Sequence, residues 1–313
     1  MSELEHIPVL LSELIAGLAI KPNANYIDCT LGAGGHAKGV LELSSPEGKL
    51  YAFDLDSQAI DIAKKNLNDY SERVVYINSN YSSLEEAIKE YHIDMSKIKG
   101  VYIDLGLSSM QLNNKEKGFS FKFEAPLDMN FGEGSVLSAA EILNIWSEEE
   151  IGKIIRDYGE EKYWRLIASK IVKRRKTKPF VTTTELVDLI MSIKPRNALD
   201  RIHPATKTFQ ALRIAVNDEL NNLKELLPRC IDLLPSRARL VIISFHSLED
   251  RIVKNIFREM STDCICPPNF PQCVCKHKAS VKKVTSKPII PTIDEINNNP
   301  RARSAKLKIV EKI

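Results

Sequence analysis

The sequence predicts an α/β protein: a doubly wound parallel sheet carrying an inserted, mainly helical second domain. Two observations lead there. Apolar β-type runs recur at 26–30, 50–56 (LYAFDLD), 74–80 (VVYINSN), 100–106 (GVYIDLG) and 239–247 (RLVIISFHS), and the first four are spaced as successive βαβ units. The spacing then fails once. Asp104 and Leu240 lie about a hundred residues further apart than the roughly 30 that one helical crossover needs.

Taken in order, the first run, YIDCT, breaks into Gly32-Ala33-Gly34-Gly35. Such a turn lets a backbone approach a ligand closely and opens onto the free N–H groups of a helix. Helix-length segments separate the next three runs. The helix feeding the fifth strand is marked by Leu212, Val216, Leu220, Leu223 and Leu227 at helical intervals. The surplus therefore falls between about 112 and 205, a stretch rich in helix formers such as SAAEILNIWSEEEIGKIIRDYGEEKYWRLIASKIVKRRK. The predicted organisation is a discontinuous sheet domain, 1–111 with 206–313, and a helical insertion, 112–205. The run Ala305 to Val310 adds a terminal strand.

With 313 residues, 43% of them hydrophobic, the chain can bury a sizeable core. A net charge of +3 steers little, so nucleic-acid affinity must come from local patches. Residues 170–178, KIVKRRKTK, form one candidate, which is equally well read as a solvated helix face. Lys276 to Lys287 is a second. The first residues lack a basic leader, and their apolar run is interrupted by Ser12 and Glu13 and is too short to span a bilayer. No membrane association and a cytoplasmic location are expected. In that compartment the six cysteines do not imply a disulfide framework. Cys29 and Cys230 read as buried small residues.

In such a sheet the ligand lies beyond the carboxyl ends of the strands. Asp54 closes the second run 22 residues beyond Gly32, where a carboxylate can accept both hydroxyls of an adenosine ribose. That suits NAD and S-adenosylmethionine alike. Gly32 to Ala37 fits the dinucleotide pattern G-x-G-x-x-A. Asp28, Gly32 and Gly34 fit the methyltransferase pattern D/E-x-G-x-G-x-G, from which Thr30 departs.

The rest of the chain decides. The blocks HIPVLLSEL (6–14), GAGGH (32–36), DLGLSSMQL (104–112), GFSF (118–121), PLDM (126–129), HPATKTFQALRIAVNDEL (203–220), ISFHSLEDRIVK (243–254) and NPRARSAKLK (299–308) closely resemble the bacterial small-subunit (16S) ribosomal RNA cytosine-N4 methyltransferases, nearly end to end. The resemblance implies a Rossmann-like class I methyltransferase sheet, S-adenosylmethionine as cofactor, and small-subunit ribosomal RNA or a ribosomal particle as partner. A homodimer stays open as the assembly. Residue by residue it implies that Gly32, Gly34, Gly35 and His36 meet the cofactor in the glycine loop and that Asp54 holds its ribose. Tyr81 stands where the family has an aromatic beside the adenine, and Asp104 and Gln111 complete the set. Tyr81 could equally be a half-buried core aromatic, and Gln111 a surface amide.

Methyl transfer from a sulfonium to an exocyclic amine requires in-line alignment and electrostatic support, with no metal or covalent intermediate. Because the acceptor lone pair is delocalised into the ring, an oxygen accepting the amine N–H would help. The D/N/S-P-P-Y motif of many amino-group methyltransferases is replaced here by DLGLSS. Asp104 and His246 are the catalytic candidates. Ser247 and Asp250 have the form of a capping box, leaving His246 just outside it, where it could also be a hydrogen-bonded loop histidine. Arg213 and Asn217, one turn apart, could address base or phosphate, or be ordinary helix-surface polarity.

Four cysteines crowd into CICPPNFPQCVCKH, as Cys264, Cys266, Cys273 and Cys275. Two C-x-C pairs depart from ordinary C-x2-C ribbons, yet thiolates this close could ligate a soft metal. They could also stay reduced in an RNA-contacting loop. Two rival functions remain: an NAD-dependent dehydrogenase, favoured by the glycine letters alone, and a non-catalytic RNA-binding or ribosome-assembly protein on the same fold.

Overall fold

The computed structural model describes residues 8–108, 111–112, 114–132, 137–196, 202–267, 270 and 272–313. The start of the HIPVLLSEL block and the Ser109–Met110 step of DLGLSSMQL lie outside the described residues. The chain divides into two compact units, Met1–Gly106 with Leu220–Ile313, and Leu107–Glu219.

The first unit is built on a seven-stranded sheet. Its strands are β1 (Asn25–Asp28), β2 (Leu50–Asp54), β3 (Val74–Asn78), β4 (Ile98–Asp104), β5 (Arg239–Ser244), β6 (Val281–Lys283) and β7 (Lys306–Lys312), in the order β3-β2-β1-β4-β5-β7-β6. Strands β1 to β5 are parallel, and β7 runs antiparallel to β5 and β6. This order with its reversed strand is the class I methyltransferase sheet. Alternation along the strands explains the double winding. Ile27, Phe53, Ile103 and Ile242 enter one core with Leu223, Leu227 and Phe257, while Tyr26, Ala52, Tyr102 and Val241 enter the other with Leu14, Val40 and Ala63. The flanking helices are α1 (Leu11–Leu18), α2 (Gly35–Leu43) and α3 (Ser57–Asn66) on one face, then α4 (Leu84–Glu90) on the other. The three-residue β6 carries no apolar run and was not legible in the sequence.

The second unit contains α5 (Ala139–Ile145), α6 (Glu148–Asp157), α7 (Trp164–Arg175), α8 (Thr183–Ile193) and α9 (Thr206–Asn217). They close around Ile142, Ile151, Ile155, Ile167, Leu186 and Leu212. Capping boxes start α5 (Ser138, Glu141) and α6 (Ser147, Glu150). Gly118 has φ +67°, and a Cβ there would come within 1.9 Å of the Pro126 carbonyl oxygen. Only glycine fits that crossing of GFSF and PLDM.

One correction concerns the run Leu212 to Leu227, read as one helix. It breaks at Asp218, which caps α9 in the left-handed conformation (φ 48°) before α10 (Glu219–Leu233) begins. Leu212 and Val216 belong to the helical unit's core, Leu223 and Leu227 to the sheet's. Aspartate tolerates this backbone, so the apolar period ran through the break unmarked. Hence α9 lies with the helical unit and not with the sheet domain as expected. Helices α11 (Ser247–Met260) and α12 (Ile293–Asn298) complete the first unit. Among the described residues no helix is long and apolar enough to cross a membrane.

Candidate active site

The parallel strands β1, β2, β4 and β5 end in a group of acids. Asp28 closes β1, Asp54 closes β2 and Asp104 closes β4, while Glu249 sits in the first turn of α11 just past β5. Asp28 Oδ1 accepts the Thr30 N–H at 2.9 Å, and its Oδ2 is buried without a hydrogen bond. Burial pushes this carboxyl up to about 7, against the lowering effects of the Thr30 N–H and then of the neighbouring Tyr102 hydroxyl, with Asp54 adding to the rise. Burial also pushes Asp104 well above the usual carboxylate range, helped by Asp28 and then Glu249. Asp104 Oδ1 is buried and has no hydrogen bond.

The glycine loop lies between β1 and α2. Gly32 has φ +53°, and a Cβ there would meet nothing within 4 Å, so the loop backbone is open on that side. Its N–H donates to Asp54 Oδ2 at 2.8 Å, while Asp54 Oδ1 accepts the Asp56 N–H at 2.9 Å. Gly34 caps α2 with φ 84° and no side-chain cap, and at Gly35 a Cβ would come 2.5 Å from Pro8 Cγ. His36, in the first turn of α2, is buried. Its Nε2 lies 2.9 Å from the Val9 carbonyl oxygen, an atom that can only accept, so the proton is on Nε2. Nδ1 then faces Asp104 Oδ2 at 3.6 Å. Tyr81, half-buried just past β3, packs against the Phe53 side of the sheet.

His246 is the N-cap of α11, a correction to the expected Ser247–Asp250 box. Its Nδ1 accepts the Glu249 N–H at 3.4 Å, and Glu249 Oε2 accepts the N–H groups of Phe245 and His246 at 2.8 and 3.2 Å. Imidazole nitrogen replaces the usual hydroxyl oxygen, so the box begins one residue earlier. Nε2 lies 3.0 Å from Glu249 Oε1 at an angle that makes no hydrogen bond. Asp250 instead pairs with Lys306 at 3.0 Å and with Lys308.

Gln111, Arg213 and Asn217 lie in the helical unit, and the four crowded cysteines in the sheet unit. Gln111 Oε1 accepts the Ser108 N–H at 3.1 Å and its own N–H donates to Ser108 Oγ at 3.2 Å, a reciprocal S-x-x-Q box. Asn217 Oδ1 accepts the Phe131 N–H, and its amide donates to the Met129 and Arg213 carbonyls. Arg213 binds Glu219 through two N–H groups, at 2.8 and 2.9 Å. These contacts give Arg213 and Asn217 a structural role within the helical unit. Sequence reasoning missed two residues: Glu249, hidden by the choice of Ser247 as cap, and Thr30, treated only as a departure from a motif. Thr30 Oγ1 accepts the Asp104 N–H at 2.7 Å.

The acids set the ligand's charge. A dinucleotide brings a pyrophosphate dianion, which would push the already raised Asp28 and Asp104 carboxyls further toward their neutral form and leave their ionised form unsupported, so the NAD reading is not favoured. A cationic ligand has the opposite effect. The MraW methylase family matches residues 3–313. The chain belongs to this family. Its relatives include proteins named ribosomal RNA small subunit methyltransferase H from Dehalococcoides mccartyi, 48% identical over 100% of this chain and 88% of that protein, and from Geotalea daltonii, 47% identical over 100% of both. Among solved structures, an rRNA methylase from Streptococcus thermophilus aligns with 99% of each chain at 12% identity and a TM-score of 0.43. The MraW methylase match takes in both compact units.

Proposed function

We propose that this chain is an S-adenosylmethionine-dependent methyltransferase, acting in the cytoplasm on the N4 amine of one cytidine in small-subunit ribosomal RNA. The observation that carries the reading is the row of carboxylates beside the glycine loop, in a member of the MraW methylase family. The names of the relatives support an RNA substrate. The choice of cytosine N4 rests on the resemblance of the sequence blocks.

The residues fit the cofactor. Asp54 stands at the tip of β2 beside the glycine loop, where a carboxylate can accept ribose hydroxyls, Gly32 leaves the loop open, and the uncapped start of α2 offers N–H groups to a carboxylate. The orphaned Asp104 oxygen is suited to a cationic molecule. When bound, S-adenosylmethionine supplies a methyl group on a sulfonium that is its own leaving group.

What the chain adds is position and a path for one proton. A cation near Asp104 favours its ionised form, and Oδ1 can then accept an amine hydrogen and return electron density to the nitrogen. Once the nitrogen has formed its bond to carbon it must lose a proton. Asp104, whose burial raises its proton affinity, accepts it, and His36 Nδ1 stands next at 3.6 Å. An exocyclic amine in a paired helix cannot meet the sulfonium in line, so the cytidine is unpaired or flipped out. Transfer of labelled methyl groups to small-subunit RNA or particles, followed by nucleoside analysis, tests the reading. Label in N4-methylcytidine is expected. Label in N6-methyladenosine, on cytosine carbon 5 or on protein overturns it.

A further inference from the structure

We propose that Cys264, Cys266, Cys273 and Cys275 form a tetrathiolate site for a soft divalent cation of the zinc class, which fixes the hairpin between α11 and β6. Their Sγ atoms all lie within 4.8 Å of one another, and none is in a disulfide. The separations Cys273–Cys275 and Cys264–Cys275 are 3.6 and 3.9 Å. A tetrahedron of sulfurs around zinc, with bonds of about 2.3 Å, has edges of ~3.8 Å. The thiols therefore stand near the spacing that a bound ion would impose.

The backbone around them supports charged sulfur. Ile265, inside the first C-x-C pair, donates its N–H to Cys275 Sγ at 3.5 Å, and Val274, inside the second pair, donates to Cys266 Sγ at 3.4 Å. Each pair thus caps a sulfur of the other. The His277 N–H adds a further bond to Cys275 Sγ, at 3.5 Å. Such donors serve thiolates far better than neutral thiols and are the usual support around a metal–sulfur site. The His277 ring is turned away, with Nδ1 2.7 Å from the Thr262 carbonyl oxygen, so the four sulfurs complete the donor set.

A second observation is independent of the sulfurs. The hairpin is closed at its neck by Ser280 N–H to the Met260 carbonyl at 2.9 Å, yet beyond the neck its large apolar side chains point outward: Ile265 is 49% exposed, Phe270 52% and Val274 66%. Without an apolar core among its described residues, a segment this small needs a covalent or metal staple to hold one shape. Loading the site releases the four thiol protons to solvent and leaves a net charge of −2, beside Lys276 and Lys278.

Native mass spectrometry of the full chain, purified with reductant and without chelator, is expected to find about one zinc ion per chain. Cobalt(II) exchanged into the same protein should give the visible bands of a tetrahedral tetrathiolate complex. The double variant Cys264→Ser, Cys275→Ser should lose at least nine-tenths of the metal and the cobalt bands, while its far-ultraviolet circular dichroism stays that of the parent. Chelation should speed tryptic cleavage after Lys276 and Lys278 at least tenfold. A metal-free chain with four thiols alkylated at equal rates, or one whose cysteines are paired as disulfides under these conditions, overturns the proposal. So does a serine variant that keeps its metal.

Discussion

The Thr30 hydroxyl accepts a hydrogen bond from the Asp104 backbone N–H at 2.7 Å, tying the tip of β1 to the tip of β4. Asp104 carries the orphaned oxygen of the acid group, so a residue that breaks the methyltransferase glycine pattern positions the carboxylate at the centre of the site. Glycine, the motif's residue, has no such acceptor. Thr30→Val keeps the volume and removes the oxygen. It should cost roughly 1–3 kcal/mol by stranding a donor, read from urea unfolding, and should weaken S-adenosylmethionine binding by calorimetry. Thr30→Ser should restore both. Equal behaviour of the valine and serine variants would show that shape and not the bond matters.

Asp54 offers a second test, because its oxygens order the Gly32 turn and the start of the loop after β2, beside the ribose position proposed above. Asp54→Ala should weaken S-adenosylmethionine binding by roughly 1.5–3 kcal/mol, through the lost charged hydrogen bonds and a loosened Gly32 turn. Unchanged affinity in calorimetry would remove Asp54 from the site.

Asp28 makes the site sensitive to pH. Its carboxyl is raised from the ordinary 3.8 to about 7 by burial. Between these values the folded chain holds a proton that the unfolded chain has released, so stability falls as pH rises across the window and levels off, for this group, above about 7. In ligand-free protein Asp28→Asn should flatten the fall in urea midpoint over that range and stabilise the chain at pH 8. Asp104, raised for the same reason, leaves part of the slope in place. An identical slope in the variant would mean that Asp28 ionises normally.

How much of this was legible depended on whether the signal was local. The sheet could be read because Tyr26 and Ile27, or Tyr102 and Ile103, are apolar on both faces, as a doubly wound strand must be. The tips Asp28, Asp54 and Asp104 followed from where those runs ended. The break at Asp218 could not be read, since the apolar period continues through it and only the backbone angle reports the change. Nor could the fates of Arg213 and Asn217. Which partner a helix arginine meets, here Glu219, depends on what tertiary packing brings near.

The cationic run 170–178 divides into two parts. Arg175 donates to the Leu143 and Trp146 carbonyls at 2.8 and 2.6 Å, and Arg174 and Lys178 pair with Glu185, whose carboxyl Lys178 chiefly holds down at about 2. Lys170, Lys173 and Lys176 are exposed and make no ion pair among the described residues. Reversing these three to glutamate should weaken RNA binding and lower its salt slope by roughly one unit for each lysine that meets a phosphate, with cofactor affinity unchanged. Arg175→Ala should instead destabilise the helical unit. RNA binding with an unaltered salt slope in the triple variant would make the run a solvated face.

His246 separates capping from catalysis, since both of its nitrogens lie against Glu249. As a cap it should be replaceable by asparagine, whose side-chain oxygen can accept the same Glu249 N–H, whereas His246→Ala should cost about 1 kcal/mol of stability. A histidine that moves a proton cannot be replaced by asparagine without loss. Single-turnover methyl transfer at saturating cofactor decides between the two roles. Near-parental rates are expected for His246→Asn if the proposed proton path runs through Asp104 and His36, where Nδ1 and Oδ2 lie 3.6 Å apart. A fall of a hundredfold or more in the asparagine variant, at parental stability, would move the acid–base role to His246.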